Sequence, residues 1–122
     1  MTPADFRRLA LSLPDTAEAS HFNVPDFRVG GKIFATLGYE KDGQGVLLLT
    51  PEQQAGMIQD APDIFSPVPG GWGRRGSTLV RLSKVTEDIL EAALHIAWSN
   101  KPKKPHRPGP AAAKTRMAAK RP

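Results

Sequence analysis

Phe27-Arg28-Val29-Gly30-Gly31-Lys32-Ile33-Phe34-Ala35-Thr36-Leu37 decides the fold. Two runs rich in aromatic and β-branched residues meet at a pair of glycines. Adjacent glycines supply the positive φ angles that a two-residue hairpin turn needs. The stretch therefore predicts an antiparallel hairpin of residues 27–29 and 32–37. Upstream, residues 20–22 read as a further short strand. Before them, Thr2-Pro3-Ala4-Asp5 opens a helix: Thr2 caps it, Pro3 brings a pre-set φ to the first turn, and Asp5 faces the positive end of the dipole. Phe6, Leu9, Ala10 and Leu13 recur on one helical stripe until Pro14 ends it.

Downstream, Asp42-Gly43-Gln44-Gly45 marks a turn and Val46-Leu47-Leu48-Leu49 a buried strand. Thr50-Pro51-Glu52-Gln53 opens a second helix, with Gln53 spaced to complete a capping box with Thr50. That helix fades near Pro62, and Ile64-Phe65 reads as a short strand. Residues 67–76, with two prolines and four glycines, predict a loop or a turn-rich connection. Residues 78–82 alternate as a strand. Thr86 caps a last helix that runs to about Ser99. On its wheel Ile89, Leu90, Ala93, Leu94, Ile96 and Ala97 share one face, with Asp88, Glu91 and His95 opposite. Hairpin-length connections and this element order give an α+β fold, an antiparallel β-sheet backed by helices.

Charge divides the chain. Nine Lys and Arg against twelve Asp and Glu leave residues 1–100 net negative, while residues 101–122 carry eight cations and no acid, bringing the chain to +5. Those eight are Lys101, Lys103, Lys104, Arg107, Lys114, Arg116, Lys120 and Arg121, interspersed with five prolines and several alanines. Nothing there can build a core, so the reading is one domain over 1–100 and a disordered basic tail over 101–122. The absence of cysteine excludes disulfides, thiolate metal sites and a cysteine nucleophile. The longest aliphatic run is four residues, far below the roughly 20 that span a bilayer. The amphipathic start is unlike a signal peptide, so a cytoplasmic protein is expected.

Candidate sites divide the same way. Gly71-Trp72-Gly73-Arg74-Arg75-Gly76 satisfies G-x-G-x-x-G, but a nucleotide site needs a helix N-terminus after those glycines, and here a strand follows. In the same loop Arg74 and Arg75 can fork onto phosphates and Trp72 can stack on a base. The plainer reading makes Trp72 a lid on the sheet and the arginines solvated. Arg28 and Lys32 flank the hairpin turn and can present charge from its tip. His21 reads as a hydrogen-bonded structural histidine, and His95 as a surface ion-pair partner of Asp88 and Glu91 rather than a metal ligand. No nucleophile elbow appears, and the three histidines sit in unrelated settings. No catalytic residue, metal or cofactor is expected.

Several strings occur together: His21-Phe22, Gly30-Gly31-Lys32-Ile33-Phe34-Ala35, Leu49-Thr50-Pro51-Glu52-Gln53 and Pro67-Val68-Pro69-Gly70-Gly71-Trp72-Gly73-Arg74. They resemble the MmcQ/YjbR family of small bacterial proteins, over about residues 3 to 100. The resemblance implies a small α+β fold, frataxin-like in outline, and DNA binding; it carries over no catalytic residues, and the basic tail lies outside it.

The expectation is a non-catalytic protein that binds DNA or RNA with low sequence specificity. The tail supplies phosphate contacts, and Arg28, Lys32, Trp72, Arg74 and Arg75 form a weaker second surface. The alternative is a module for a small molecule or protein partner, with a pocket under the 67–76 loop. An apolar pocket under Trp72 without clustered cations favours that alternative. Titratable side chains facing each other in a cleft would instead point to an enzyme.

Overall fold

A computed structural model of the chain describes residues 1–101. The elements run α1 (Pro3–Leu11), β1 (Thr16–His21), β2 (Val24–Val29), β3 (Lys32–Thr36), a 3₁₀ turn at Glu40–Asp42, β4 (Gln44–Leu48), α2 (Pro51–Asp60), β5 (Phe65–Pro67), α3 (Gly71–Arg74), β6 (Ser77–Arg81) and α4 (Glu87–Ser99). The expectations for residues 102–122 lie outside the described residues. The fold is α+β: one six-stranded sheet in the order β1-β2-β3-β4-β6-β5, each neighbouring pair antiparallel.

The Gly30-Gly31 hairpin forms, with φ of 61° and 79°. A second hairpin precedes it, where the sequence gives no glycine signal. β1 pairs with β2 along its whole length, and Phe22 and Asn23 make the turn at φ 50° and 65°. Asn tolerates this left-handed region; Phe rarely does. The strand expected at 20–22 is thus Thr16–His21, and Phe22 lies outside it, 96% exposed at the turn.

One irregularity sets which side chains face where. Phe27 pairs with Ala35 but Arg28 pairs with Ile33, so Phe34 is an additional residue in β3. Such a bulge resets the alternation of a strand. Phe34 and Ala35 both join the core under the helices, while Ile33 and Thr36 both line a cleft on the opposite face.

The principal core lies between the sheet and α1 and α4. It contains Phe6, Leu9 and Ala10 from α1, Phe27, Phe34, Leu47 and Val80 from the sheet, and Leu90, Ala93, Leu94 and Ala97 from α4. Phe6 rests on Gly45, where a Cβ would come within 2.5 Å of the ring. The predicted capping box of Thr50 with Gln53 forms, and Thr2, predicted as an N-cap, makes a second box with Asp5. Arg8 joins Glu87 at 3.2 Å, and Trp98 Nε1 donates to the Pro14 carbonyl at 3.0 Å, tying α4 to the N-terminal segment.

Three expectations are corrected. Residues 67–76 are more regular than the loop or turn-rich connection expected, because Pro67 ends β5 and Gly71–Arg74 form one α-helical turn. Gln54 from α2 holds that turn, its Nε2 donating to the Gly73 and Ser77 carbonyls at 2.9 Å each. His95 makes no ion pair among the described residues; its ring packs on Trp98, with centroids 5.3 Å apart. Ile89, assigned to the apolar face of α4, is exposed.

A candidate ligand cleft and its buried carboxylate

The face of the sheet away from α1 and α4 carries the second, smaller apolar cluster of Val46, Val68 and Leu79, with Tyr39 and Leu48 packed beside it. A cleft of about 420 Å³ opens there. The sheet contributes Val24, Ile33 and Thr36 from β2 and β3, Val46 and Leu48 from β4, and Ser77 from β6. Tyr39, Val68 and Trp72 close other sides, and His21 completes the wall. Among the described residues no Lys or Arg lines it. Trp72 is 65% exposed, and the Arg75 guanidinium lies 6.0 Å from its ring centroid. At that distance a cation gains modestly from the ring's quadrupole.

At the β1–β2 end of this face stands the most constrained polar group of the described residues. The Asp26 side chain is 0% exposed. Arg28 grips it in a fork, with Nε donating to Oδ1 at 2.7 Å and Nη2 to Oδ2 at 3.1 Å. His21 Nδ1 meets Oδ2 at 2.7 Å. The register makes this possible, because His21 faces Val24 and Ala19 faces Asp26 across the β1–β2 ladder. Hydrogen bonds from Arg28 hold the Asp26 carboxyl below its usual range, outweighing burial, which pushes it up; the bond from His21 lowers it further. An ionised carboxylate only accepts, so the proton of the His21 contact sits on Nδ1. Neutral His21 is then left with Nε2 as a bare acceptor. Among the described residues Nε2 has no hydrogen-bond partner.

This cluster makes a pH prediction. Because the folded pKa of Asp26 is lowered, its ionised form contributes stability above the ordinary carboxylate range, and that contribution is lost as pH falls through the lowered value. Asp26→Asn should cost about 3 kcal/mol near neutrality, since it removes one partner of a shielded pair. Urea unfolding of both proteins across pH should show the gap narrowing below about pH 4. A gap as wide at low pH as at neutrality would refute this account of the carboxylate.

The residues singled out from sequence are distributed as follows. Arg28 commits two of its donors to Asp26. Lys32 is exposed at the β2–β3 tip, and Arg74 is exposed on α3. Trp72 stands at the cleft, and Arg75 beside it. Lys101 lies just past α4, its amide donating to the Trp98 carbonyl at 3.2 Å. A groove of about 290 Å³ that shares Leu48, Trp72 and Ser77 with the cleft is also lined by Arg75, Asn100 and Lys101. The other seven cations, Lys103, Lys104, Arg107, Lys114, Arg116, Lys120 and Arg121, lie outside the described residues. The glycines of G-x-G-x-x-G answer to packing: a Cβ on Gly73 would lie 1.8 Å from the Val68 carbonyl oxygen, and one on Gly76 1.9 Å from that of Leu49.

Asp26 escaped notice in the sequence. Its signal is an acid at an alternate position of an apolar strand, two residues before an Arg, where both must share a face.

The YjbR family model matches residues 11–100. The chain belongs to the YjbR family. Among solved structures it is similar to a Deinococcus radiodurans protein, DR2400, whose crystal structure is described as a DUF419 domain. The TM-score is 0.65 at 22% identity, covering 80% of this chain and 75% of that one. At that identity the likeness establishes a common fold. No curated protein matches the chain. Among the described residues of this YjbR protein, no helix is long and apolar enough to cross a membrane.

Proposed function

We propose that this YjbR domain is a non-catalytic, cytoplasmic binding module that takes a small, mostly apolar molecule into the cleft beneath Trp72. One observation carries the reading. The cleft is concave, about 420 Å³, walled by valine, leucine and isoleucine with a few polar groups, and among the described residues no Lys or Arg lines it. That combination is the usual composition of a small-ligand site. His21 and Asp26 face each other at its edge, and among the described residues Nε2 of His21 meets no hydroxyl of the kind a His-activated nucleophile would need. Thr36 Oγ1, also in the wall, accepts from the Gly38 amide at 3.2 Å.

Protein-observed methyl NMR with a library of small aromatic compounds tests the reading. Hits should shift methyl resonances of Ile33, Val46 and Leu48. Ile33→Trp, which fills the cleft from β3, should abolish those shifts while the fold persists by circular dichroism. Hits that leave those methyls unmoved, or survive Ile33→Trp, would sink it.

A second reading, low-specificity binding of DNA or RNA, is favoured by the position of Lys101. Lys101 lines one groove with Arg75 and Trp72. The starts of β3 and β6 and the end of β4 lie at one edge of the sheet, because Leu48 pairs with Ser77 and Ala35 with Leu47. Lys32 therefore stands at the same edge as Arg74 and Arg75. Seven further cations follow Lys101 in the sequence, which supports a polyanion surface beside the cleft, with Trp72 common to both.

A further inference from the structure

We infer that His21 is the polar anchor of the cleft, accepting a hydrogen bond at Nε2 from a hydroxyl or N–H group on a small aromatic ligand. The inference rests on the cleft being a ligand site and adds the chemical class it takes. Three observations select a donor. First, Asp26 is wholly shielded and held by Arg28 in a two-point fork, so its contact with His21 at 2.7 Å fixes the imidazole proton on Nδ1. The opposite nitrogen then presents a lone pair, without a partner among the described residues. Second, among the described residues no Lys or Arg lines the cleft, and the guanidinium of Arg28 already neutralises Asp26. A carboxylate or phosphate buried there would lack a counter-charge, which is costly. Third, Ser77 and Tyr39 carry hydroxyls that donate as readily as they accept, so they do not discriminate; a neutral imidazole held at Nδ1 accepts only. Tyr39 and Trp72 supply the aromatic walls.

The chemistry is that of a phenol or an N–H heteroaromatic: a flat apolar body with one donor at its edge. Its matched antagonist is the methyl ether of the same ring, identical in shape but unable to donate.

The test uses p-cresol and 4-methylanisole with the full chain, at about pH 8, above the usual imidazole range. Two-dimensional NMR follows the Trp72 indole, the cleft methyls and the His21 ring nitrogens. p-Cresol should bind about tenfold more tightly than the ether, the worth of one hydrogen bond. His21→Phe, which keeps a ring of similar size, should erase that preference, so that the two probes bind equally. Asp26→Asn can donate to Nδ1 and so moves the proton to Nε2; it should turn the preference toward the ether. Imidazole ¹⁵N shifts should show Nδ1 protonated and Nε2 bare in the native protein. Equal binding of the two probes would overturn the anchor while leaving the cleft a ligand site. If neither probe moves the cleft resonances, the cleft reading fails and the anchor with it. A wild-type preference for p-cresol that persists in His21→Phe would assign the acceptor to another wall residue and refute His21.

Discussion

Removing residues 102–122 should lower affinity for random-sequence duplex DNA at low salt by at least about 100-fold. The deletion takes seven of the seventeen Lys and Arg and no acid, leaving ten cations against twelve acids in residues 1–101. Three of those ten, Arg7, Arg8 and Arg28, are engaged with Glu18, Glu87 and Asp26. Phosphate neutralisation releases counterions, with a slope of log K against log salt of about −0.9 per contact. Losing seven contacts would flatten that slope by about six, an upper bound reached only if every cation meets a phosphate. Fluorescence anisotropy at several salt concentrations measures both quantities. A tail of the same composition in shuffled order should bind equally well, because counterion release reads charge and not sequence. Undiminished binding by the truncated chain would place the contacts on Lys32, Arg74 and Arg75 and overturn the tail's role. Truncation should leave cleft probes untouched, which separates the two proposed surfaces.

What could be read in the sequence was whatever is decided within three or four residues. Thr2 and Thr50 cap their helices because a side-chain oxygen needs only the backbone three positions on. Gly30-Gly31 makes its turn for reasons contained in the pair. β1 went largely unread because Thr16-Ala17-Glu18-Ala19-Ser20 has neither apolar alternation nor aromatic content. It is a strand because β2 offers it a ladder, a tertiary cause that propensity does not record. α3 is likewise four residues held from outside, by Gln54 and by the close approach of Gly73 to Val68. Of the candidate site, Trp72 was legible as a lid because an aromatic among glycines stands out. The cleft beneath it was not, since its walls come from β2, β3, β4 and β6 and depend on a one-residue bulge at Phe34. His21 was legible as hydrogen-bonded, but its partner five residues on required knowing that Phe22 and Asn23 turn the chain.

Gly76→Ala should cost at least about 3 kcal/mol in stability. Gly76 joins α3 to β6 at φ 112°, a conformation that side-chain-bearing residues rarely adopt. A Cβ there would also lie 1.9 Å from the Leu49 carbonyl oxygen and 3.0 Å from the Thr50 carbonyl carbon. Neither neighbour can retreat cheaply. The Leu49 amide donates to the Gly76 carbonyl at 3.3 Å beside the β4–β6 ladder, and Thr50 is the N-cap of α2. Relief must come from opening the ladder's end or pulling α2 from its cap, and either shifts Trp72 relative to Leu48 and Ser77. Gly56→Ala is the contrasting case. It lies inside α2 with nothing within 4 Å of the added methyl, so it should gain about 0.5–1 kcal/mol from helix propensity alone. Urea unfolding of the two variants against the native chain measures both signs. Should Gly76→Ala fall within 1 kcal/mol of the native protein, the corner would be deformable, and the fold would no longer account for Trp72 standing over the cleft.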